Sequence, residues 1–252
     1  MIIQSDIRAV VLAGGKGTRL APYTTVLPKP LMPIGDVPIL EVVLRQLAHH
    51  GFGHITLAVG HLAELLVAYC GEGTKFGVSI AYSREESPLG TAGPIALVGG
   101  LRNTFLVMNG DVLTNLDYGR MLCAHRESGA IATVAAFDRI VNVDLGVLEI
   151  AKNSAVTAYI EKPTLRHSVS MGIYFFEPAA LRYVKAGRRL DLPDLITALL
   201  DGGECVMAYK HTGYWLDIGR PDDYAAAVEE FERHREHFLP NQSATRSMPR
   251  SS

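Results

Sequence analysis

The chain has 252 residues, of which 48% are hydrophobic and 20% are charged, a composition typical of a globular protein with a sizeable core. The formal net charge is -2 and the pI is about 6.5, so the global charge does not favour nucleic acid as a partner. The sequence contains no apolar run of about 18 residues and does not start like a signal peptide, so we expect no membrane span and no secretion.

The three cysteines lie far apart in apolar segments and have no metal-ligand spacing; they are Cys70, Cys123 and Cys205. We therefore expect buried, inert thiols and a reducing, cytoplasmic environment.

The first predicted strand covers residues 9–13 and leads into the loop Gly14-Gly15-Lys16-Gly17-Thr18-Arg19. Three glycines let the backbone approach a bulky ligand, and successive N–H groups in such a loop can cradle phosphate oxygens. Arg19 adds a guanidinium fork, and Lys29 adds a second cation between two prolines. The pattern predicts a polyphosphate site, whereas a glycine-rich turn alone is often only a tight connection.

The loop fits neither of two common nucleotide motifs. The dinucleotide fingerprint requires Gly or Ala where this chain has Leu20, and the Walker motif requires a different spacing around Lys16.

Strands and helices then alternate, which predicts a parallel sheet covered by helices on both faces. The next predicted strands are residues 55–59, 78–82, 105–108 and 130–137, and the helices are residues 38–50, 62–70, 91–98 and 118–126. Further along, strands at 147–150, 156–160, 170–176 and 205–209 accompany helices at 178–185, 192–200 and 221–237. We expect one α/β domain over residues 1–238, with a mixed sheet in its second half, and a disordered tail at residues 239–252.

Acidic residues stand where a ligand site is expected, beyond the carboxyl ends of strands. Asp111 follows the fourth strand and is well placed to hold Mg²⁺ against phosphates, although a turn residue is the alternative. Asp217 lies among apolar residues beside the only tryptophan, and a cap is its alternative. Glu161 and Lys162 also end a strand, although a lone Glu-Lys pair is usually part of a solvated face.

Six blocks in order resemble the sugar-1-phosphate nucleotidyltransferases. They are Leu12-Ala13-Gly14-Gly15-x-Gly17-Thr18-Arg19-Leu20, Pro28-Lys29-Pro30, Pro88-Leu89-Gly90-Thr91-Ala92, Gly110-Asp111, Glu161-Lys162-Pro163 and Trp215-Leu216-Asp217-Ile218-Gly219. The segment from Pro88 to Pro94 looks most like mannose-1-phosphate or heptose-1-phosphate guanylyltransferases. No hexapeptide repeat follows, so we do not expect the β-helix domain of some relatives here.

The resemblance implies a Rossmann-like, three-layer fold of the nucleotide-diphospho-sugar transferase type, with a mixed, mostly parallel central sheet. It implies an enzyme of the EC 2.7.7 type that joins an NTP and a sugar-1-phosphate with Mg²⁺, releasing pyrophosphate and supplying NDP-sugars as polysaccharide precursors.

The resemblance also implies roles for individual residues. The expected catalytic residues are Arg19, Lys29, Asp111, Lys162 and Asp217, with Asp111 and Asp217 as metal ligands. The expected nucleotide-binding residues are Leu12, Ala13, Gly14, Gly15, Gly17, Thr18, Glu85, Gly90 and Thr91. The sugar-phosphate side is expected to use Gly146, Glu161, Lys162 and Gly172.

The base is inferred from the loop after the third strand. Guanine offers two adjacent donors that a carboxylate accepts, so Glu85, or second Glu86, is the expected guanine reader. Solvated loop acids are the alternative, and a thymidylyl-, uridylyl- or cytidylyltransferase remains open. A non-catalytic nucleotide sensor and an NAD-dependent oxidoreductase are the rivals from other classes. The sugar is not fixed by the sequence, and neither is the oligomeric state, for which a homo-oligomer is possible.

Overall fold

The computed structural model of the chain describes residues 7–239. Its strands are β1 Arg8–Ala13, β2 Pro33–Ile34, β3 Val37–Pro38, β4 His54–Val59, β5 Ser79–Arg84, β6 Phe105–Asn109, β7 Val112–Thr114, β8 Ala132–Asn142, β9 Val147–Ile150, β10 Val156–Ile160, β11 Thr164–Phe176, β12 Val206–His211 and β13 Trp215–Asp217. Its α-helices are α1 Ile39–His49, α2 Ala63–Cys70, α3 Tyr118–Ser128, α4 Leu192–Asp201, α5 Pro221–Arg233 and α6 Arg235–Phe238.

Seven strands form the central sheet, in the order β12-β8-β11-β6-β1-β4-β5. Neighbouring strands are parallel except at β11, which runs antiparallel to both β6 and β8. The predicted mixed, mostly parallel sheet is confirmed. Since β1, β4, β5 and β6 run in the same direction, their carboxyl ends share one edge of the sheet.

Hydrophobic cores lie on both faces of this sheet. Along β1, Val11 packs on one face with residues of α1, α2 and α3, whereas Val10 packs on the other face with residues of α4. Side chains alternate across a strand, so the apolar run of β1 supplies both cores at once. The result is the predicted three-layer arrangement, with helices on either side of the sheet.

A third core lies under the loops that follow β1. It joins Leu20 and Ile34 to Leu113 and Ile218, and Phe231 of α5 closes it from outside. This core holds together segments that are remote in the sequence but adjacent at the ligand-facing edge.

Several predicted elements differ in the structure. Residues 91–98 and 178–185 were expected to be α-helices, but short 3-10 helices form at Gly93–Leu97 and Pro178–Tyr183. In the first of these, the N–H of Gly93, a helix-start donor without a partner inside the helix, donates to the carbonyl of Leu190.

The remaining differences concern strand length and one helix break. Strands β8 and β11 are longer than predicted: β8 continues to Asn142, β11 already begins at Thr164, and the two pair as an antiparallel ribbon. The helix expected at 221–237 breaks at His234, whose φ is -133°, so α5 and α6 are separate. The two-stranded pairs β2–β3 and β7–β13 were not predicted.

The predicted burial is confirmed for Cys70 and wrong for Cys205, which is exposed, and Cys123 is only half-buried. Among residues 7–239 no helix is both long enough and apolar enough to span a bilayer. The tail predicted at residues 239–252 falls, apart from Leu239, outside the described residues, so it stays a prediction together with the domain boundary at residue 238.

Candidate active site

A cleft of about 1030 Å³ opens at the carboxyl edge of the sheet, beyond β1, β4, β5 and β6. All of the residues predicted to bind nucleotide or metal line it, together with the predicted catalytic residues Arg19 and Lys29: Leu12, Ala13, Gly14, Gly15, Gly17, Thr18, Glu85, Gly90, Thr91, Asp111 and Asp217. Its size is in the range of pockets that bury a cofactor-sized ligand.

The glycine loop is shaped by two close approaches. Gly17 has a φ of 62°, and a Cβ there would lie 2.9 Å from a methyl carbon of Thr24. The Thr24 hydroxyl also donates to the Gly17 carbonyl at 2.8 Å. Gly15, in contrast, is exposed, and a Cβ there would meet no atom within 4 Å. The backbone at Gly15 is therefore open to a ligand, while that at Gly17 is fixed by the protein itself.

Lys29, Asp111 and Asp217 form one charged cluster. The ammonium of Lys29 pairs closely with Asp111 and lies 3.8 Å from Oδ1 of Asp217. The two acids meet because β13 pairs with β7, which places Asp217 opposite Val112. Asp111 and Asp217 are 106 residues apart in the chain, so the short β7–β13 pair is what assembles the cluster.

The environment of Asp217 disfavours its charged form. Burial raises the pKa of the Asp217 carboxyl, and the neighbouring Asp111 raises it further, while Lys29 and Arg19 act in the opposite direction. Both carboxylates face the ammonium of Lys29, and oxygen donors of this kind suit Mg²⁺. Asp111 and Asp217 therefore fit the predicted metal site.

Arg19 lies on the same side of the cleft and packs on Gly219. A Cβ at Gly219 would be 3.3 Å from the guanidinium nitrogen Nη2 of Arg19. The side chain of Arg19 remains exposed, with its donors available to a phosphate.

Glu85 braces three loops. Its Oε2 accepts a hydrogen bond from the N–H of Leu89 at 2.9 Å. Its Oε1 lies against two glycines, because a Cβ on Gly14 or on Gly60 would be only 2.9 or 2.7 Å from it. Glu85 is half-buried and Glu86 is exposed, so Glu85 is the better placed of the two acids to face a ligand in the cleft.

The loop after Glu85 is tied to the start of α4. The N–H of Thr91 donates to Oδ1 of Asp191 at 3.0 Å, and the Thr91 hydroxyl accepts from the N–H of Leu192 at 2.7 Å. A Cβ at Gly90 would lie 2.5 Å from the carbonyl oxygen of Leu190. Gly90 and Thr91 thus have structural roles as well as positions in the lining of the cleft.

The residues predicted for the sugar-phosphate side are less assembled. None of Gly146, Glu161, Lys162 and Gly172 lines the cleft. Glu161 accepts a hydrogen bond from the hydroxyl of Tyr159, and Lys162 is exposed with a φ of 43°. Gly172 is nearest, because a Cβ there would lie 2.5 Å from the side-chain nitrogen of Asn109, which does line the cleft.

Five polar residues line the cleft although sequence reasoning gave them no role: Lys16, His61, Arg84, Ser87 and Asn109. Lys16 lies inside the glycine loop, and its position among three glycines was a usable signal. Asn109 and Arg84 end β6 and β5, so the rule that ligands bind beyond strand ends could have identified them.

Comparison with known proteins shows which family the chain resembles. Residues 8–234 match the family model described as nucleotidyl transferase. The chain is 37% identical over 244 residues to UTP--glucose-1-phosphate uridylyltransferase from Synechocystis sp., covering 88% of this chain and 62% of that protein. It is 36% identical over 240 residues to mannose-1-phosphate guanylyltransferase from Mycobacterium tuberculosis, covering 90% of this chain and 65% of that protein.

The chain therefore spans less than two thirds of the length of these relatives. Among solved structures, HddC from Yersinia pseudotuberculosis aligns with a TM-score of 0.69 and 25% identity, covering 89% of this chain and 99% of that one.

Proposed function

The chain belongs to the nucleotidyl transferase family, and we propose that it transfers a nucleoside monophosphate from an NTP, with GTP preferred, to a sugar-1-phosphate. The observation that carries the proposal is the convergence of Arg19, Lys29, Asp111 and Asp217 with the glycine loop in one cleft. The two relatives named above act, by their names, on glucose-1-phosphate and mannose-1-phosphate, which supports a sugar-1-phosphate as the acceptor.

In the proposed reaction, an oxygen of the sugar-1-phosphate attacks the α-phosphorus of the NTP in line. A new P–O bond forms as the bond from the α-phosphorus to the bridging oxygen breaks, and the electron pair leaves with pyrophosphate. The attacking phosphate oxygen is already anionic at neutral pH, so no side chain has to remove a proton. The chain's task is to hold two anions together and to stabilise the developing charge.

The backbone of the glycine loop and the guanidinium of Arg19 are proposed to hold the triphosphate. Lys29 is proposed to neutralise the α-phosphate, and Asp111 and Asp217 are proposed to hold Mg²⁺. When bound, Mg²⁺ supplies positive charge to the phosphate oxygens. The Lys29 ammonium faces both carboxylates with a single positive charge, so a dication on the same oxygens would leave Lys29 to the phosphates.

Lys162 and Glu161 are proposed to hold the phosphate and the sugar of the second substrate, with Gly146 and Gly172 bordering that side. Because NTPs and sugar phosphates are metabolites of the cytoplasm, we place the chain there. The proposal also includes association of the chain into a homo-oligomer.

A matrix assay tests this function. The full chain is mixed with Mg²⁺, each of GTP, UTP, dTTP and CTP, and each of mannose-, glucose- and heptose-1-phosphate, and pyrophosphate release is measured. We expect GTP to exceed every other NTP by at least about tenfold in kcat/KM. Equal use of UTP and GTP would contradict the base but not the reaction class, and the name of the Synechocystis relative makes UTP the principal competitor. NTP binding without pyrophosphate release from any pair would favour a nucleotide sensor.

A further inference from the structure

A second pocket lies at the opposite edge of the sheet from the active-site cleft. It has a volume of about 250 Å³ and is lined by Arg8, His54, Arg102, Asn103 and Thr104, among others. Arg8 and His54 begin the parallel strands β1 and β4, and residues 102–104 immediately precede β6. The pocket thus occupies the amino ends of strands whose carboxyl ends carry the cleft.

Arg8 is held in place at the centre of this edge. Its register partners are His54 on β4 and Phe105 on β6, so it stands between the two neighbouring strands. Its Nη1 donates to the carbonyl of Gly99 at 3.3 Å, and its guanidinium lies against Gly100. A Cβ at Gly100, where φ is 80°, would be 3.1 Å from the guanidinium carbon. The absence of a side chain at Gly100 therefore leaves room for the guanidinium, which the hydrogen bond to Gly99 orients.

Among the described residues, the charged side chains that line the pocket are basic. No carboxylate is among its lining residues, and within the part of the chain that the structure describes neither Arg8 nor Arg102 forms an ion pair. Glu177 does not line the pocket; its carboxylate accepts from the Thr104 hydroxyl at 2.6 Å and lies 3.1 Å from Nε2 of His125. Over residues 7–239, two guanidiniums, an imidazole and an amide line one concave space, and neither guanidinium has a carboxylate partner, which concentrates positive potential there.

We propose that this pocket binds a phosphate group. Guanidinium forks match tetrahedral oxyanions in a bidentate way, and Arg8 is already positioned for that contact. The volume suits a phosphate or a small phosphate monoester better than a nucleotide, since pockets that bury larger ligands begin at about 300 Å³. The proposal is independent of the transfer reaction, because the pocket shares no residue with the cleft.

The test is a titration of the ¹⁵N-labelled full chain with inorganic phosphate, followed by amide chemical shifts and matched against sodium chloride at equal ionic strength. We expect saturable shifts at Gly100, Leu101, Arg102, Asn103 and Thr104 that chloride does not reproduce. A parallel titration with mannose-1-phosphate compares a phosphate monoester with the free ion. The ligand with the lower dissociation constant at residues 100–104 is the preferred source of the phosphate group.

Two variants separate this pocket from the cleft. Arg102→Gln should weaken phosphate binding at residues 100–104 by at least about tenfold, because it removes one guanidinium from the pair. Arg19→Gln should leave the same titration unchanged while altering shifts in the glycine loop. Arg166→Gln, at an exposed position on β11, is the matched control. Shifts at residues 100–104 that are absent, that chloride reproduces or that Arg102→Gln leaves intact would overturn the proposal.

Discussion

Glu85 is the single side chain on which the choice of base depends. It holds Leu89 through one oxygen and contacts the glycines at 14 and 60 through the other, so the same carboxylate both braces the loop and faces the cleft. Glu85→Gln keeps the shape and one acceptor oxygen but replaces the second acceptor by a donor. We expect it to lower kcat/KM for GTP by about ten- to a hundredfold and to admit UTP or dTTP. Kinetics with all four NTPs measure this.

Glu85→Ala is the comparison for that variant. It removes the brace as well as the acceptor, so losses common to all four NTPs should appear only there. A Glu85→Gln variant that uses GTP at the normal rate would assign the side chain to bracing alone.

The glycine loop allows a matched pair of substitutions. Gly17→Ala introduces a side chain at positive φ next to Thr24 and should lower the free energy of unfolding by about 1–2 kcal/mol. Gly15→Ala meets no protein atom, so its stability should change by less than about 0.5 kcal/mol. A triphosphate resting on the loop backbone would nevertheless meet the new methyl group, and NTP affinity should fall about tenfold. Urea unfolding and calorimetric titration give the two quantities; unaltered NTP binding by Gly15→Ala would mean that the phosphates lie elsewhere.

The two aspartates should share one metal. Asp111→Asn and Asp217→Asn leave the side-chain volume unchanged, and each should lower turnover by at least about a hundredfold, because an amide removes charge at the ion. The raised pKa of Asp217 means that protons compete with the metal at a higher pH than at an ordinary aspartate. The Mg²⁺ concentration for half-maximal rate should therefore rise as pH falls towards the Asp217 pKa. Asp201→Asn, on the exposed end of α4, is the control, and near-normal rates for either site variant at low Mg²⁺ would reject the assignment.

Among the elements, the link between the base loop and α4 has a functional consequence. Asp191 accepts from the N–H of Thr91, and its loss leaves that donor without a partner. Asp191→Ala should therefore loosen residues 85–93 and raise the KM for NTP severalfold with little change in kcat. The exposed Asp201→Ala controls for a general effect on α4. An equal fall in kcat with KM unchanged would show that the link does not position the nucleotide.

The elements that the sequence predicted are those with a strong local pattern. The apolar run of β1 and the periodicity of α1 are sufficient signals, and both form where expected. The residues of β7 and β13 are too few to carry a pattern, and their pairing is stabilised by the third core rather than by local preference. No proline or glycine near His234 indicates the helix break in the sequence. Tertiary contacts determine the β7–β13 pair and the break at His234, and such contacts cannot be inferred from the local sequence pattern.

The assembly of the site across the whole chain was predictable only in part. Residues that follow β1 and β6 were expected at one edge because parallel strands end together, and Arg19 and Asp111 do line one cleft. Asp217 lies 106 residues after Asp111 and joins the cleft because β13 pairs with β7, which the sequence did not predict. Its place in the site was therefore predicted through the resemblance alone. The sugar side remains unassembled: Lys162 lies between the hairpin β9–β10 and the ribbon β8–β11, outside the cleft.

The two expected phosphate-binding cations lie in different halves of the chain. Arg19 belongs to the cleft at the end of β1, and Lys162 to the segment after β10, so each should act on its own anion. Lys162→Ala should weaken sugar-1-phosphate binding at least about tenfold and leave GTP affinity unchanged, and Arg19→Ala should do the reverse, because a phosphate-binding cation acts over a short range in water. Calorimetric titration of each ligand measures both affinities. Lys152→Ala, at the exposed turn of the same hairpin, and Arg233→Ala, on the surface of α5, are the matched controls. Equal losses for both ligands in both variants would mean that the two residues hold one shared site, and the assignment of Lys162 to the sugar phosphate would then be wrong.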